Sequence, residues 1–329
     1  MNNQSAMLSV RNLRLSIRTD EGIACILDHI DFALEPGRIL GVVGESGCGK
    51  STVIRAILGI LPSGVRVEAG EIRFAGENLL ALGEAALNRR IRGSRIGFVP
   101  QDPYLALNPV FKIGAQLLEI MRWHAAGGSA AEHRARIVGL LRRVQLPDPE
   151  AALERYPHQF SGGQRQRLLI AAALACSPAL VIADEPTTAL DVTTQQQILD
   201  LLRDLVAEFG LSMLFVTHDL GVVAELCDDI CVIYAGQSVE AGPTSVVIAD
   251  PKHPYTRALL ACHPDRADSF IGIPGAVPSP LRAPPGCRFA PRCSEARPLC
   301  SDRRPHLTQL RPGRRVDCVL YDVPETVGA

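Results

Sequence analysis

The sequence predicts an α/β fold with a mostly parallel sheet covered by helices, and three apolar runs carry this prediction. The first, RILGVV at 38–43, leads into the glycine-rich loop GESGCGKS at 44–51. The second, LVIA at 180–183, ends at an acidic pair, and the third is LSMLFVTH at 211–218. Because buried parallel strands are short, apolar throughout and alternate with helices, this order indicates a parallel sheet.

The helices are identified by apolar residues at helical spacing. In the two core helices these residues are Val53, Ile54, Ile57, Leu58 and Leu61, and Ile198, Leu201, Leu202, Leu205 and Val206. We expect Pro62 to end the first helix and Gly210 to close the second. Between Gln101 and Ser161 the candidates GAQLLEIMRW and RARIVGLLRRV predict an inserted helical subdomain at about 102–170.

Composition and charge exclude several classes of protein. The 329 residues are 47% hydrophobic and 21% charged, with a formal net charge of −1. This is typical of a globular protein and lacks the basic excess of a wholesale nucleic-acid binder. The start, MNNQSAMLSV, lacks the features of a secretory signal, and no apolar stretch is long enough to span a membrane. We therefore expect an intracellular protein, in which structural disulfides are rare.

The loop GESGCGKS has the composition of a phosphate-binding loop. Gly44, Gly47 and Gly49 let the backbone turn so that its N–H groups converge on phosphate oxygens, and the following helix adds its positive dipole end. Lys50 supplies a positive charge between the β- and γ-phosphates, and the Ser51 hydroxyl is suited to ligate Mg²⁺. The residues expected to contact the nucleotide are Gly44, Glu45, Ser46, Gly47, Cys48, Gly49, Lys50, Ser51 and Thr52.

The acidic pair Asp184-Glu185 follows the strand LVIA. Taken alone, such a pair fits a helix cap as well as a catalytic role, but Pro186 and the string TTALD that contains Asp191 favour catalysis. We expect Asp184 to hold Mg²⁺, directly or through water. We expect Glu185 to polarise the attacking water, because phosphoryl transfer depends on positioning and charge stabilisation.

A third motif stands between the loop and the acidic pair. The string FSGGQRQR contains Ser161, Gly162, Gly163 and Gln164. Together with GESGCGKS and ADEPTTALD it resembles the signature of ATP-binding cassette (ABC) proteins. The resemblance implies a P-loop NTPase cassette with a RecA-like core, ATPase activity, and ATP with Mg²⁺ as cofactors. It also implies that the SGGQ residues close over ATP held by a second cassette.

The same resemblance implies roles for three single residues. His218 is similar to the switch histidine, which contacts the γ-phosphate. Gln101, in GFVPQDP, is similar to the Q-loop glutamine, which reaches Mg²⁺ and the water and whose loop senses the membrane partner. Asp191 is similar to the residue that links the two nucleotide sites across the dimer. No aromatic residue precedes Phe32, which departs from the family pattern, so we expect aliphatic side chains within 11–31 to contact adenine.

Six longer motifs narrow the resemblance to one branch of the family. They are GVVGESGCGKS, QDPYLALNP, YPHQFSGGQRQR, ADEPTTALD, FVTHDLGVVAELCD and HPYTRALL. Together they resemble the ATPase subunits of dipeptide and oligopeptide importers, a branch that includes nickel and glutathione importers. This implies a second, non-identical ATPase subunit, two membrane permease subunits and an extracytoplasmic substrate-binding protein as partners. It also implies a peripheral position at the cytoplasmic face of the bacterial inner membrane.

Two other classes of ABC protein fit the sequence less well. A soluble ABC protein acting on nucleic acid or ribosomes would carry a long coiled-coil insertion, two fused cassettes or a strongly basic face. An exporter half would usually have membrane helices fused to its cassette. We therefore expect an importer subunit without a nucleic-acid partner. Its expected cargo is a peptide, with nickel, glutathione or another small solute as the alternative.

A change of composition predicts a boundary between a nucleotide-binding domain at 1–250 and a small cysteine-rich C-terminal extension at 251–329. The extension contains Cys287, Cys293, Cys300 and Cys318. Their spacing, C-x5-C-x6-C-x17-C, is not that of a zinc ribbon and leaves three alternatives: an iron–sulfur cluster, a structural Zn²⁺, or unconnected thiols. The string IPGAVPSPLRAPPGCRFAPRCSEARPLC resembles the tail of peptide-importer ATPases, which implies a [4Fe–4S] cluster.

Overall fold

The computed structural model describes residues 6–188, 190–262 and 272–322. Its β-strands are β1 (Leu8–Thr19), β2 (Gly22–Leu34), β3 (Ile39–Val43), β4 (Val65–Phe74), β5 (Glu77–Asn78), β6 (Ile96–Val99), β7 (Leu180–Asp184), β8 (Ser212–Thr217), β9 (Asp229–Tyr234), β10 (Gln237–Pro243), β11 (Leu307–Arg311) and β12 (Arg314–Asp317). Its α-helices are α1 (Lys50–Leu58), α2 (Glu84–Arg90), α3 (Ile113–His124), α4 (Ala130–Arg143), α5 (Pro149–Ala152), α6 (Gly162–Leu174), α7 (Val192–Phe209), α8 (Leu220–Leu226), α9 (Thr244–Ala249), α10 (Pro254–Ala261) and α11 (Leu299–Asp302). The chain divides into two compact units, the first comprising 1–35, 40–80 and 217–329 and the second 36–39 and 81–216.

The first unit contains two groups of strands. One is an antiparallel sheet in the order β2-β1-β4-β5. In the other, β9 pairs parallel with β3 and antiparallel with β10, and the hairpin of β12 and β11 continues from β10. The tail strands β11 and β12 therefore belong to the same group as β3, the strand that leads directly into the glycine-rich loop.

Aromatic residues fix the C-terminal tail to the core of the first unit. Tyr234 at the end of β9 and Tyr255 in α10 are fully buried, with ring centroids 4.6 Å apart. Phe289 of the tail packs on both, at 5.1 Å from Tyr234 and 5.4 Å from Tyr255. Full burial of a large apolar side chain stabilises the fold by about 1.5–3 kcal/mol. Phe289 therefore anchors the segment that carries the first tail cysteines.

The second unit combines parallel strands with the helical insertion. Strands β6, β7 and β8 are parallel neighbours in that order, and every residue of β7 and β8 is buried. Helix α4 packs against α3 and α6. The side chain of Arg167 in α6 donates a hydrogen bond of 2.8 Å to the carbonyl of Val144, which follows α4. This contact joins the end of α4 to the helix that carries the SGGQ residues.

The structure confirms the three predicted apolar strands as β3, β7 and β8. It also confirms that Gly210 closes α7, in the left-handed conformation with φ 60°. The first core helix ends earlier than predicted, because Gly59 caps α1 in the left-handed conformation, with φ 67°, before Pro62 is reached.

The pairing is also less parallel than the sequence predicts. Parallel pairs join β3 to β9 and β6 to β7 to β8, whereas β1, β2, β4, β5, β10, β11 and β12 pair antiparallel. Strands β1 and β2 mix buried with exposed positions, so they have no continuous apolar run to announce them. The predicted domain boundary near residue 250 stays a prediction.

Across the described ranges 6–188, 190–262 and 272–322, we find no helix that is both long enough and apolar enough to cross a lipid bilayer.

Candidate nucleotide site

The glycine-rich loop has a backbone path that side chains would block. Gly44 is buried, and a Cβ atom there would lie 2.1 Å from the carbonyl oxygen of Ile233 in β9. Gly49 has φ 107°, a conformation that other residues rarely adopt, and a Cβ there would lie 2.6 Å from Leu27. Gly47 is exposed and also has a positive φ, 77°. Residues of β9 and β2 therefore pack closely against the loop at Gly44 and Gly49, whereas Gly47 is exposed to solvent.

Lys50 is the first residue of α1 and is only 5% exposed. Its ammonium group donates hydrogen bonds to the carbonyl oxygens of Gly44 at 2.7 Å and Glu45 at 3.2 Å. Ser51 and Thr52 follow in the first turn and are half-buried. The positive charge is thus held across the loop at the N-terminus of a helix, where phosphate oxygens find N–H donors and a favourable dipole.

Tyr255 and Arg292, two residues from the C-terminal half of the chain, also contact the loop. The backbone N–H of Glu45 donates to the hydroxyl of Tyr255 at 3.0 Å, and the Glu45 carboxylate pairs with Arg292 at 2.8 Å. Cys48 is buried, and burial raises the pKa of its thiol, so it is an unreactive filler of the loop. These contacts were not foreseen from the sequence.

The acidic pair lies at the end of β7. Asp184 is its last residue and is 9% exposed, and Glu185 follows with φ 46°. A left-handed glutamate is uncommon, and the conformation costs of the order of 1 kcal/mol. The backbone N–H of Glu185 donates to the carbonyl of Val216 at 2.8 Å, and this contact fixes the unusual turn.

Gln101 and Thr188 contact the Glu185 carboxylate. The amide nitrogen of Gln101 donates to Oε2 at 3.3 Å, and the hydroxyl of Thr188 donates to the same oxygen at 3.1 Å. Gln101 and Thr188 are exposed, and Glu185 is half-buried. The structure therefore brings the predicted Q-loop glutamine to the predicted base. Thr188, to which the sequence reasoning gave no role, is a second positioning contact.

The SGGQ residues form the beginning of α6. Ser161 is the N-cap: its hydroxyl accepts from the Gln164 backbone at 3.3 Å, and the Gln164 side chain accepts from the Ser161 N–H at 3.1 Å. Gly162 and Gly163 are the first residues of the helix, and a Cβ on Gly162 would lie 2.9 Å from the hydroxyl of Tyr104. Ser161 is exposed. This helix end thus presents an exposed serine, followed by two half-buried glycines.

The side chain of Tyr104 connects this helix to the segment that follows Gln101. The Arg165 guanidinium lies over its ring, 4.5 Å from the centroid. Cation–π contacts at exposed sites stabilise by about 0.5–1 kcal/mol. The Q-loop segment and the start of α6 are therefore in direct contact within the second unit.

Asp191 and His218 flank helices. Asp191 is the exposed N-cap of α7, accepting from the Thr194 N–H at 2.9 Å and from its hydroxyl at 2.8 Å. The hydrogen bond from the Thr194 backbone is the main reason that the pKa of Asp191 is lowered. His218 is exposed between β8 and α8.

The predicted site residues are divided between the two units. The phosphate loop and His218 belong to the first unit. Gln101, the acidic pair, the SGGQ residues and Asp191 belong to the second.

The tail cysteines converge on one cavity in the first unit. Its lining includes Cys287, Cys293, Cys300 and Cys318, beside His253 and Phe289. All four carry free thiols. Burial raises the pKa of Cys287 to about 12 and that of Cys318 to about 11.

In the part of the chain that the structure describes, no group of three or more His, Cys, Asp or Glu side chains is spaced to hold a single metal ion. The donor set of the cavity nevertheless suits a cofactor that takes thiolate ligands.

Comparisons with known proteins identify the architecture. The chain matches the ABC transporter family over residues 27–188 and the family "Oligopeptide/dipeptide transporter, C-terminal region" over residues 239–300. A putative peptide import ATP-binding protein of Brucella abortus is 47% identical over 294 residues, which cover 88% of each chain. The chain belongs to the ABC transporter ATPase family. The oligopeptide transport ATP-binding protein OppD of Salmonella typhimurium is 44% identical over 296 residues, covering 89% of this chain and 87% of OppD.

Solved ABC structures confirm the cassette fold. A dimeric post-hydrolysis structure of the cassette MJ0796, bound to ADP and Pi, matches with a TM-score of 0.64 and 29% identity, over 72% of this chain and 99% of that one. The structure of cbiO1 from Clostridium perfringens, part of the transporter complex cbiONQ, also has a TM-score of 0.64, at 27% identity, over 75% of this chain and 92% of that one. The fold is thus a P-loop ABC cassette of mixed α/β content.

Sequence motifs of this ABC ATPase contained residues whose roles were missed. Tyr255 stands in HPYTRALL and Arg292 in the tail string. Both motifs carry the family resemblance, but neither reveals what these two residues contact. Their contact with the phosphate loop joins residues more than two hundred positions apart. Thr188 stands in TTALD, and its closeness in sequence to the acidic pair was the one signal that it contacts Glu185.

Proposed function

We propose that this chain is the ATP-hydrolysing subunit of a peptide importer. The observation that carries the proposal is the pair of features expected of an ATPase: a glycine cradle holding Lys50, and a strained Glu185 whose carboxylate is positioned by Gln101 and Thr188. Relatives at 44–47% identity are named for peptide import and oligopeptide transport, which supports the cargo class. We assign residues 1–250 to the nucleotide-binding domain and 251–329 to the importer-type extension.

The proposed chemistry assigns one task to each polar group. Loop N–H groups and Lys50 bind the β- and γ-phosphates, and Ser51 and Asp184 are the residues that would hold Mg²⁺. Glu185 orients and polarises the attacking water, with Gln101 beside it. His218 contacts the γ-phosphate. The water oxygen bonds to the γ-phosphorus while the bond from that phosphorus to the β–γ bridging oxygen breaks. ADP leaves with the electron pair of the broken bond, a proton of the water passes to Glu185, and inorganic phosphate is released.

The proposed working unit is a pair of cassettes. Ser161 is exposed and the half-buried Gly162 and Gly163 follow it at the N-terminus of α6, a position that suits a phosphate held by a second cassette. A solved structure of a related cassette is described as dimeric, which supports pairing. We propose that the partner is a second, non-identical ATPase, and that Asp191 links the two sites. Two permeases and an extracytoplasmic binding protein complete the importer at the cytoplasmic face of the inner membrane.

We propose that a patch after Gln101 docks the permeases. Leu105, Val110 and Phe111 are 84%, 70% and 55% exposed in one short segment of the second unit. Clustered exposed apolar side chains are typical of protein–protein contacts. The segment also contains Tyr104, so the proposed docking patch is joined to the start of α6.

The experiment that tests the ATPase proposal uses Glu185→Gln in the assembled complex. The amide has the same size but cannot polarise water, so turnover should fall at least about 100-fold while ATP binding is retained. Wild-type turnover in this variant would contradict the assignment of Glu185. Loss of binding together with turnover would instead show that the variant damages the site.

We propose that the four tail cysteines hold an iron–sulfur cluster of the [4Fe–4S] type. Four thiols around one cavity match Cys₄ ligation, and such a cluster would serve here as a cross-link of the tail. A structural Zn²⁺ also takes four thiolates, so metal analysis must distinguish the two.

Metal analysis of anaerobically purified protein tests the cluster. We expect visible absorbance with iron and sulfide in stoichiometric amounts, and loss of both in Cys287→Ser. Cys227→Ser, which changes a buried cysteine outside the cavity, is the matched control and should keep the absorbance. Stoichiometric zinc in a colourless protein would contradict the cluster.

A further inference from the structure

One arginine of the tail is paired with the phosphate loop. The two terminal nitrogens of Arg292 donate to the two carboxylate oxygens of Glu45, at 2.8 and 3.1 Å. The Arg292 side chain is only 4% exposed, and that of Glu45 is 27% exposed. A two-pronged pair of this kind fixes the orientation of the carboxylate as well as its position.

The guanidinium of Arg292 is itself firmly held. Its Nε donates to the carbonyl of Pro274 at 2.9 Å, Nη2 donates to that of Ile273 at 2.9 Å, and Nη1 donates to the Tyr234 hydroxyl at 3.2 Å. The hydrogen bond to Glu45 raises the pKa of Arg292, so its charge is permanent. The arginine therefore cannot turn away from the loop without losing several contacts.

Glu45, whose side chain Arg292 holds, also makes backbone contacts inside the loop. Its carbonyl oxygen accepts from the Lys50 ammonium at 3.2 Å and from the Cys48 N–H at 3.2 Å. Its N–H donates to Tyr255, whose ring packs on Phe289 of the tail. The residue that Arg292 holds by its side chain thus also holds the loop lysine by its backbone.

We propose that Arg292 is a positioning residue for the phosphate loop, so that nucleotide affinity depends on the order of the tail segment 287–300. The inference rests on the proposed function, since it requires that the loop binds ATP. Arg292 lies directly before Cys293, and the N–H of Cys287 donates to the carbonyl of Cys300 at 2.8 Å. Whatever fixes the cysteine segment therefore also fixes Arg292. Because coupling between sites is reciprocal, bound nucleotide should also order the tail.

A rival explanation is that the pair is only a structural staple. Breaking a buried ion pair destabilises a fold whether or not a ligand binds nearby. In that case substitution of Arg292 would lower the free energy of unfolding but leave the affinity of the folded protein for ATP unchanged. Affinity and stability must therefore be measured separately.

The first test is equilibrium binding of Mg-ATP to the purified full chain by calorimetry. We expect Arg292→Met to weaken binding roughly 5- to 20-fold, less than the full loss of a charge-assisted contact because Arg292 acts on the nucleotide only through the loop, and Arg292→Lys to weaken it less. Arg303→Met is the matched control, because Arg303 pairs with Asp322 elsewhere in the tail and should leave affinity unchanged. Unchanged affinity in folded Arg292→Met would overturn the inference. If that variant does not fold, wild-type affinity in folded Arg292→Lys would overturn it instead.

A double-mutant cycle separates the pair from general damage. Glu45→Gln should weaken ATP binding by a similar factor, and the double variant should be no weaker than either single one. Additive losses would show that the two residues act independently and would contradict the proposal.

Hydrogen exchange measures the reciprocal effect. Saturating Mg-ATP should slow amide exchange across residues 287–300 in the wild type and not in Arg292→Met. Absence of ATP binding by the wild-type chain would defeat the proposed function itself. Wild-type binding without protection of the tail would defeat only the inference.

Discussion

The phosphate loop and the SGGQ segment differ in how much of their environment this chain supplies. The loop is backed by β9, α10 and the tail, and its lysine is 5% exposed. Ser161 is exposed at the start of a helix, and the half-buried Gly162 that follows it has Tyr104 as a neighbour. In the proposed ATPase, the loop is the half of the nucleotide site that is packed within the chain, and Ser161 belongs to the half offered to a partner. This difference indicates why a cassette of this kind is proposed to work in pairs.

The two regions also differ in what holds their shape. In the loop, Gly44 is required because backbone atoms approach within 2.1 Å of where a Cβ would be. In the SGGQ segment, Ser161 and Gln164 make a capping box, a local motif that needs no distant partner. The loop should therefore fail when its packing is disturbed. The SGGQ segment should fail only in the assembled complex.

The largest expected effect follows from Gly44→Ala. The added methyl group collides with the Ile233 carbonyl in β9, so the loop must shift, and we expect ATP affinity to fall at least about 100-fold. Calorimetric titration with Mg-ATP measures this. Gly139→Ala in α4 is the matched control, since a Cβ there meets nothing within 4 Å, and it should bind ATP normally. Normal affinity in Gly44→Ala would show that the loop tolerates rearrangement.

The second prediction compares two capping boxes. Ser161→Ala should leave ATP binding by the isolated chain unchanged but lower turnover of the assembled complex about 10- to 100-fold, because a hydrogen-bond donor to the partner's phosphate is lost. Ser129→Ala removes the equivalent cap of α4, where Ser129 and Glu132 pair in the same way. Each variant should lose about 1 kcal/mol of helix stability. Equal turnover in the two variants would mean that Ser161 acts only as a helix cap and does not contact the partner's phosphate.

The sequence predicted the parts of the site that local motifs encode. The loop glycines, Lys50 and the acidic pair were recognised because each stands in a short string next to an apolar strand. The structure places Gln101 against Glu185, a contact that the resemblance did not state, and the expected contact of Gln101 with Mg²⁺ stays a prediction. The contacts of Glu45 with Arg292 and Tyr255 were not predictable, since no local pattern reveals which distant residue packs behind a loop. The antiparallel strands β1 and β2 were missed because their mixed burial gives no continuous apolar run.

The third prediction concerns the exposed patch after Gln101. Leu105→Asp should weaken assembly with the permeases about tenfold, as expected for an interface residue that loses an apolar contact, and leave ATP binding by the isolated chain unchanged. Trp123→Asp is the control, because Trp123 is 75% exposed but lies in α3, outside this segment. Co-purification of the complex measures both. Equal loss in the two variants would mean that the docking surface extends over α3 or that both changes act non-specifically.

The smallest expected effect belongs to Thr188, which the sequence reasoning overlooked. Thr188→Val removes a side-chain hydrogen bond to Glu185 but keeps the shape, so turnover of the complex should fall roughly threefold with little change in ATP affinity. Thr308→Val makes the same chemical change on β11, away from the acidic pair, and should have no effect. A much larger loss would mean that the left-handed turn at Glu185 depends on this hydroxyl. No loss would mean that Gln101 and the backbone contact to Val216 are sufficient to hold the carboxylate.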